Sequence, residues 1–468
     1  MKFGGTSVGD GEIIRHSAGI VKAYSGEHPV VVTSAMAGVT DAITAHLKKV
    51  SEDEVNIPII IDALRDKHVA AANLAVRDLH TRHGAIYQIG KILERLERLL
   101  FGIAYTEELT PKAKDYALSF GERLAAPLVS ATLTDVGVES EAIDAEHARL
   151  LTDGNYNNAT PDLAAIEKAY PETVGAIVDQ GVVPVVTGFY GVDKRGHATV
   201  FGRGGSDYVA AILAYAGNAS VLEIWKDVAG FMTTDPRVVP EARPLAVMSY
   251  DEAAELANFG AKVLHPRTVE PVALKNIPIR VRNTMDPENP GTLIHGIASV
   301  DAAIMRAVAA RDSLAIVKLI GPGMAYTKGI GLRTFNVLSS AGVNVINMAA
   351  SQASFALLID QTDLDVAVSA LQTIVGGVIQ GVEAIPDMAL ICVVGKGLAE
   401  TPGTAAKILG SISGANVNIE MISLGASNIA IDVIVRAKDK EAAVRAVHDT
   451  FLSGKPVAAQ RGRVGATR

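Results

Sequence analysis

The chain opens on a lysine followed by two glycines and two hydroxyl residues, in the run KFGGTSVG at residues 2–9. Because glycine has no side chain, the backbone there can approach an anion closely, and successive N–H groups can form an anion-binding concavity. The lysine adds a full positive charge. The spacing differs from the GxxxxGK[ST] phosphate loop and from the GxGxxG dinucleotide turn. The run predicts a phosphate site, with an ordinary tight turn as the alternative for this run taken alone.

A second polar turn, FGRGGSD at residues 201–207, follows a strand-like run at 197–200 and opens a helical run at 208–215. A glycine-rich turn at a helix start presents backbone donors and the positive end of the helix dipole. Ser206 or Asp207 would suit a helix N-cap. Capping does not explain Arg203, whose guanidinium can bind a carboxylate through two parallel hydrogen bonds. Since Asp207 can bind an ammonium, this turn predicts a site for both charges of an amino acid.

Two further segments combine a buried run with polar residues. Residues 223–230 (EIWKDVAG) leave a strand-like run and continue to TTDPR at 233–237, a loop in which a nucleotide base and ribose could lie. Residues 259–266 (FGAKVLHP) place Lys262 close to a glycine. A solvated lysine is the alternative interpretation for Lys262 alone.

The elements that must position these residues alternate along the chain. Apolar runs at 29–34, 182–188, 221–225 and 277–281 are typical of strands buried on both faces of a parallel sheet. Residues 41–50, 59–80 and 86–100 show the spacing of amphipathic helices. This alternation predicts an α/β fold. The helical block at 41–130 is longer than one crossover needs and predicts a helical layer.

A repeat begins after about residue 300. Residues 314–359 align with 388–433 without gaps, and Gly321, Gly329 and Asn344 match Gly395, Gly403 and Asn418. Each copy has the pattern strand, glycine-rich turn, helix, strand, strand, and a second helix follows at 362–375 and at 439–451. This order is the ferredoxin-like βαββαβ arrangement. Chance similarity of two α/β segments is the alternative, but the matched glycines favour a duplication.

Composition excludes several classes of protein. The 468 residues indicate two to four domains, and the net charge of −8 without a long basic run argues against a nucleic-acid partner. Neither a secretory signal nor an apolar run of about 20 residues is present, which argues against a membrane span. Cys392 is the only cysteine, which excludes an intrachain disulfide and fits a reducing cytoplasm. The short basic tail at 461–468 is interpreted as a frayed terminus.

Together these motifs resemble those of the aspartate kinases, within the amino-acid kinase superfamily, as do Ser34-Ala35-Met36 with Thr40 and the run SFGER at 119–123. The C-terminal repeat resembles paired ACT domains, and the resemblance spans essentially the whole chain. It implies a three-layer α/β/α kinase fold with a mainly parallel sheet over residues 1–300. It also implies ferredoxin-like ACT domains at 305–383 and 384–460, and a tail at 461–468. Sister kinases acting on acetylglutamate, glutamate, UMP or carbamate lack this motif set.

The resemblance implies transfer of the γ-phosphoryl group of ATP to the side-chain carboxylate of L-aspartate. The product, 4-phospho-L-aspartate, enters lysine, threonine and methionine synthesis. No metal-ligating cluster is seen, so Mg²⁺ is expected to be held mainly by the nucleotide phosphates. The implied catalytic residues are Lys2, Gly4, Gly5 and Asp207. The implied aspartate-binding residues are Ser34, Thr40, Glu122, Phe189, Arg203 and Ser206, with Arg203 on the α-carboxylate and Glu122 and Asp207 near the amine. The implied ATP-binding residues are Lys2, Gly5, Ser7, Lys226, Asp227, Met232, Arg237 and Lys262.

The first ACT repeat is implied to bind an amino-acid effector through Met324, Thr327, Gly329, Val345, Ile346 and Gln352. Ile346 and Gln352 stand where lysine-sensing relatives can carry acids, so we expect threonine, or no strong effector, rather than lysine. We also expect a cytoplasmic homodimer or dimer of dimers joined through the ACT domains, without a fused homoserine dehydrogenase. Met232 stands where many relatives have an aromatic residue, and Lys226 replaces a common threonine. The alternatives are a non-catalytic amino-acid sensor and another kinase of the superfamily.

Overall fold

The structure, a computed structural model, describes residues 1–50, 54–260, 263–296, 304–398, 400–425 and 427–452. The chain divides into two compact units. The first unit contains Met1–Phe231, Ala246–Ala254 and Val263–Ala298, and the second contains Met232–Leu245, Glu255–Lys262 and Ser299–Arg468. Lys262 and the expected tail at 461–468 lie outside the described residues. Among the described residues, no helix combines the length and apolar character that crossing a membrane requires.

The first unit alternates strands with helices, as the sequence predicts. Its described strands are β1 (Lys2–Phe3), β2 (Val31–Thr33), β3 (Ser140–Ile143), β4 (Val183–Thr187), β5 (Tyr190–Val192), β6 (Ala198–Val200), β7 (Leu222–Lys226), β8 (Val247–Ser249), β9 (Ile279–Asn283) and β10 (Thr292–His295). Its described helices are α1 (Gly11–Ala23), α2 (Val39–Val50), α3 (Asn56–Ala75), α4 (Leu79–Thr106), α5 (Pro111–Asp135), α6 (Leu163–Ala169), α7 (Val174–Asp179), α8 (Gly205–Ala216), α9 (Tyr250–Asn258) and α10 (Val269–Leu274). The boundary between the two units falls inside α9.

In the described residues the main sheet has eight strands in the order β3-β4-β2-β1-β7-β9-β10-β8. In the described part of this sheet, the pairings from β3 through β9 and that of β10 with β8 are parallel, and only β9 with β10 is antiparallel. The mainly parallel sheet is thus confirmed. Because parallel strands end at the same edge of a sheet, the residues after β1, β2, β4 and β7 meet at one edge. This edge collects the KFGG turn, Ser34, Phe189 and Lys226.

The helical layer differs from the sequence prediction in one place. A single helix was expected over 59–80, but α3 ends at Ala75 and α4 begins at Leu79. The Asp78 carboxylate accepts a hydrogen bond from the Thr81 amide at 2.8 Å and caps α4. Asp135 accepts from the amides of Arg77 and Asp78 at 2.9 and 2.6 Å. The break is therefore made by carboxylates that satisfy the free amides of a new helix start.

The second unit contains the predicted repeat. Its described strands are β11 (Ala307–Ile320), β12 (Val345–Ala350), β13 (Ser354–Asp360), β14 (Gly381–Val394), β15 (Met421–Ser423) and β16 (Ala430–Arg436). Its described helices are α11 (Ile330–Ser340), α12 (Leu364–Gln372), α13 (Thr404–Gly414) and α14 (Lys440–Leu452). Among these residues the sheet order is β12-β13-β11-β14-β16-β15, and all pairings are antiparallel.

The two repeats share the long strands β11 and β14. Residues 314–320 pair with 354–360 of the first repeat, whereas residues 307–311 pair with 390–394 of the second. Each repeat has its own apolar core: Leu319, Leu338 and Leu357 belong to one, and Val308, Ile408 and Val433 to the other. The second repeat therefore receives one of its strands from the chain segment that precedes the first.

Candidate active site

Two lysines and one carboxylate form a buried ion cluster at the sheet edge. Lys2 Nζ lies 2.6 Å from Asp207 Oδ1, and Lys226 Nζ lies 2.9 Å from Asp207 Oδ2. Burial lowers the pKa of Lys2 below its usual range, and the attraction of Asp207 offsets only part of this effect. Burial alone would raise the pKa of Asp207, but Lys2 and Lys226 outweigh it and hold that pKa well below its usual range. The carboxylate therefore remains ionised and holds two ammonium groups side by side.

The KFGG turn is fastened to the neighbouring strand. The Gly4 amide donates to the Trp225 carbonyl at 3.0 Å, and the Ser7 amide donates to the Gly4 carbonyl at 2.9 Å. The buried Ser7 hydroxyl donates to the same Trp225 carbonyl at 3.2 Å and shares a 2.7 Å hydrogen bond with Thr284 Oγ1. These bonds fix the position of Lys2 on β1 relative to Lys226 on the neighbouring strand β7. They also occupy the Gly4 amide and the Ser7 hydroxyl, so a phosphate contact by either group would require an exchange of partner.

A second carboxylate lies beside this cluster. Ser206, one residue before Asp207, donates from its hydroxyl to Glu122 Oε1 at 3.3 Å. Burial raises the pKa of Glu122 to about 8, since nearby amides, Ser206 and Lys2 compensate only partly. Helix α5 packs so closely on the segment after β2 that a Cβ at Gly121 would lie 3.4 Å from Thr40 Oγ1. Glu122 and Ser206 are thus in direct contact, and Thr40 lies beside Gly121, the residue before Glu122.

The glycine-rich turn before α8 is shaped by close backbone contacts. Gly204 has a φ of +75°, and a Cβ there would lie 2.5 Å from His265 Cβ. A Cβ at Gly205 would lie 2.7 Å from the carbonyl oxygen of Phe189, which itself has a φ of +71°. Within this tightly packed turn Arg203 is solvent-exposed. The turn thus presents a cationic side chain to solvent four residues before the buried carboxylate.

Comparison with known proteins identifies the family. The model of the amino acid kinase family matches residues 1–283, and an ACT domain model matches 317–374 and 391–451. Aspartokinase 1, chloroplastic, of Arabidopsis thaliana is 32% identical over 470 residues, which cover 97% of this chain and 80% of that protein. The chain belongs to the aspartokinase family.

Solved aspartokinases share the fold as well as the sequence. E. coli aspartokinase III in complex with aspartate and ADP, in the R-state, is 31% identical with a TM-score of 0.84, and the match covers 96% of this chain and 98% of that one. The same enzyme with lysine and aspartate, in the T-state, gives a TM-score of 0.79 at 31% identity over the same shares of both chains. The three-layer kinase fold followed by ACT domains is thus confirmed.

The structure brings some of the expected aspartokinase site residues together within the first unit. The contacts above link Lys2, Gly4, Glu122, Ser206, Asp207 and Lys226, and a Cβ at Gly5 would lie 3.1 Å from the carbonyl oxygen of Ala35. Asp227 is exposed just after β7. Met232 and Arg237 belong to the second unit, where the exposed Arg237 pairs with Asp235 at 2.6 Å. Lys262 lies outside the described residues. The expectation that Asp207 binds the substrate amine fits poorly, because both of its oxygens face lysines.

Sequence reasoning missed His265, which packs against Gly204. Burial lowers the pKa of His265, and the charges of Asp207, Arg267 and Lys226 also act on it. The neighbouring Arg267 stacks on Tyr208 of α8 at 4.4 Å and donates to Asn158 Oδ1 at 3.0 Å. A signal was present, since His265 belongs to the same FGAKVLHP motif as Lys262 and Arg267 follows that motif directly.

The structure brings four of the six expected effector residues together in the first ACT repeat, whereas Val345 and Ile346 lie at the opposite end of β12. Met324 is buried at the turn after β11, and the Ala325 amide donates to the carbonyl of Gln352 at 3.4 Å. The Thr327 hydroxyl donates to the Gly323 carbonyl at 3.2 Å, and Gly329 is the N-cap of α11. Val345 and Ile346 begin β12. The structure therefore brings the glycine-rich turn next to the β12–β13 turn.

The site around Asp207 offers few protein side chains that could bind a metal ion. In the part of the chain that the structure describes, no group of three or more His, Cys, Asp or Glu side chains is placed to hold an ion. Asp207 is already neutralised by two lysines. The residues present therefore fit a nucleotide-bound Mg²⁺ better than an ion held by the protein itself.

We expect the Glu122→Gln variant to change both stability and pH dependence. A folded-state pKa of about 8, against an ordinary 4.5, means that the wild-type protein loses stability as pH rises from about 4.5 to 8. The glutamine cannot ionise, so its melting temperature should exceed that of wild type at pH 8.5 and converge with it near pH 5. If ionised Glu122 binds the substrate ammonium, wild-type kcat/KM for aspartate should rise toward pH 8, and the variant should lose this rise.

Differential scanning calorimetry and initial rates across pH 5–9 measure both effects, and the exposed Glu108→Gln provides the control. Equal melting temperatures for wild type and Glu122→Gln at pH 8.5 would show that the carboxylate carries no burial cost.

Proposed function

We propose that this aspartokinase transfers the γ-phosphoryl group of ATP to the side-chain carboxylate of L-aspartate, giving 4-phospho-L-aspartate and ADP. The observation that carries the proposal is the pair of lysines bridged by Asp207, of which Lys2 is buried and Lys226 half-buried, next to the Glu122–Ser206 carboxyl site. Two cations at one edge of the sheet can stabilise the negative charge on a phosphoryl group while it is transferred from donor to acceptor. The exposed guanidinium of Arg203, four residues before Asp207, suits the free carboxylate of an amino acid.

The chemistry needs no general base. The side-chain carboxylate of aspartate has a reference pKa near ~3.9 and is ionised at pH 7. One of its oxygens forms a bond to the γ-phosphorus while the bond from that phosphorus to the β–γ bridging oxygen breaks, and ADP leaves with the electron pair. Catalysis then consists of positioning and charge neutralisation. Mg²⁺, carried by the nucleotide phosphates, would add to that neutralisation.

We assign the following roles. Lys2 contacts the transferring phosphoryl group, with the backbone at Gly4 and Gly5 beside it, and Lys226 neutralises the nucleotide phosphates. Asp207 holds both lysines in place, so the substrate amine is left to Glu122. Arg203 takes the α-carboxylate. Ser34, Thr40, Phe189 and Ser206 complete the aspartate site, and Ser7, Asp227, Met232, Arg237 and Lys262 contribute to ATP binding.

The test is an ADP-coupled assay that offers aspartate, glutamate, acetylglutamate and UMP in turn, with hydroxylamine present to trap an acyl phosphate as its hydroxamate. We expect ADP and hydroxamate in equal amounts with aspartate only. Turnover with another acceptor would favour a different kinase of the superfamily. Amino-acid binding without ADP release would favour the non-catalytic sensor.

We also propose feedback control, with threonine favoured over lysine as effector. Ile346 and Gln352 are uncharged, so the first ACT repeat offers no carboxylate at these two positions for a second ammonium. Titration calorimetry should show heat of binding for threonine and at least tenfold weaker binding for lysine. Tighter binding of lysine than of threonine would contradict this assignment.

The remaining proposals concern the oligomeric state, the domain limits, the location and the pathway of the protein. We propose a homodimer or dimer of dimers formed through the ACT domains, with domain limits at 1–300, 305–383 and 384–460. The buried, unpaired Cys392 favours a cytoplasmic location. The product would enter lysine, threonine and methionine synthesis.

A further inference from the structure

The segment Met232–Leu245, here called the nucleotide loop, contains the motif TTDPR and two of the proposed ATP-binding residues, Met232 and Arg237. The chain leaves the first unit after Phe231 and returns to it at Ala246. The intervening loop belongs to the compact unit that contains the ACT repeats. Its conformation is therefore set by contacts within that unit.

The apolar side of the nucleotide loop is part of the core of the second ACT repeat. Val239 is 2% exposed and belongs to the same buried cluster as Val308 of β11 and Val444 and Val447 of α14. Val238 packs against this cluster. Since core packing is close, a change in the position of α14 or β11 would displace the loop.

Thr233 is the polar anchor of the loop. Its hydroxyl shares a 3.2 Å hydrogen bond with His448 Nε2 of α14 and accepts from the Arg243 amide at 3.0 Å. Its carbonyl accepts from the Val308 amide at 2.8 Å, and its amide donates to the Arg243 carbonyl at 2.8 Å. The Thr233 and His448 side chains are buried. Removal of either partner would leave a buried polar group unsatisfied.

The remaining contacts bind the loop to the same two elements. The Arg243 guanidinium donates to the carbonyl of Leu452, the last residue of α14. Outside the loop, Gly260 also lies against β11, because a Cβ there would lie 2.3 Å from the carbonyl oxygen of Ala310. Strand β11 then continues, through a register shift between Arg311 and Leu314, to Ile320, four residues before the buried Met324 of the proposed effector site.

We propose that the second ACT repeat holds the nucleotide loop in its ATP-binding conformation, with Thr233 and His448 as positioning residues for ATP. This inference rests on the proposed function, because Met232 and Arg237 are assigned to ATP there. It gives the second repeat a task in substrate binding that is separate from effector recognition. It also makes β11 a direct physical connection between the effector repeat and the nucleotide loop.

The experiment compares Thr233→Val with Thr233→Ser in the full-length protein. Valine keeps the shape but removes the hydroxyl, so we expect the Kd of MgATP to rise about tenfold, the scale on which an unsatisfied buried group acts. The KM for aspartate should stay within about twofold of wild type. Serine retains the hydroxyl and should restore ATP affinity. Thr404→Val is the matched control, because the Thr404 hydroxyl is also buried in the second repeat but bonds to the Thr401 carbonyl at 2.8 Å.

A second pair of variants guards against a folding failure of Thr233→Val. The amide of His448→Gln reaches the position of Nε2 and should preserve ATP binding, whereas the shorter His448→Asn should weaken it. Thermal unfolding checks that all variants are folded at the assay temperature. Unchanged ATP affinity in both Thr233→Val and His448→Asn would overturn the inference, as would an equal loss in Thr404→Val. Wild-type ATP binding without phosphoryl transfer to aspartate would contradict only the proposed function.

Discussion

The Lys2→Met variant is expected to lose about 10³-fold in kcat, the effect of removing one preorganised charge donor from a phosphoryl or acyl transfer site. Methionine fills nearly the same volume without the ammonium. The remaining Lys226–Asp207 pair has no net charge, so the cleft would lose the positive charge that faces the phosphoryl oxygens. The KM for aspartate should change much less than kcat. The measurement is the initial rate of ADP release at saturating ATP and aspartate.

The control for Lys2→Met is Lys49→Met, which changes an exposed lysine at the end of α2 and should leave the rate unchanged. Circular dichroism and MgATP titration would show that the Lys2 variant retains its fold. A Lys2→Met protein with more than a tenth of wild-type kcat would contradict the assigned role, whatever its stability.

The ion cluster explains why these lysines can do chemistry while buried. An isolated ammonium in this position would tend to release its proton, because burial lowers the pKa of Lys2. Asp207 counters that tendency, yet one carboxylate cannot neutralise two cations, and a net positive charge remains. A bound triphosphate would balance that charge. Binding of an anion therefore relieves the repulsion between the two ammonium groups, which favours ATP over a neutral ligand.

The sequence alone predicted much of the sheet edge but not its internal pairing. The glycines and lysine of KFGGTSVG and the apolar runs before Ser34, Phe189 and Lys226 indicated which strand ends carry chemistry, and the parallel sheet brings those ends together. The pairing of Asp207 with both lysines depends on how β1, β7 and α8 are positioned relative to one another. No local sequence pattern specifies those relative positions, so Asp207 was expected at the substrate amine.

Two other features escaped prediction for related reasons. The internal repeat in the sequence predicted the helices and strands of the second unit. No local sequence feature shows that residues 307–311 pair with the second repeat rather than with the first. Likewise, TTDPR reads as an exposed polar loop, whereas Val239 behind it enters a hydrophobic core. Both outcomes are decided by long-range packing, which overrides local composition. The break between α3 and α4 differs, because Asp78 is an N-cap residue type that marks a helix start in the sequence itself.

Changing Arg203 is expected to affect aspartate binding more than any other exposed substitution. In Arg203→Ala the KM for aspartate should rise about 100-fold, as expected for the loss of a charge-assisted, two-bond contact with a carboxylate, while kcat falls less. Arg203→Lys should recover only part of the loss, because an ammonium cannot reproduce the planar fork. Because Arg203 is exposed, the melting temperature should not change.

The matched control is Arg195→Ala, an exposed arginine between β5 and β6 that should leave both KM values unchanged. The assay varies aspartate at saturating ATP and then ATP at saturating aspartate, which separates the two substrates. A rise confined to the KM for ATP would instead assign Arg203 to nucleotide binding and would contradict its assigned contact with the α-carboxylate of aspartate. A selective rise for aspartate, together with the loss of kcat in Lys2→Met, would instead place the amino acid and the phosphoryl donor on the two sides of the turn that leads into α8.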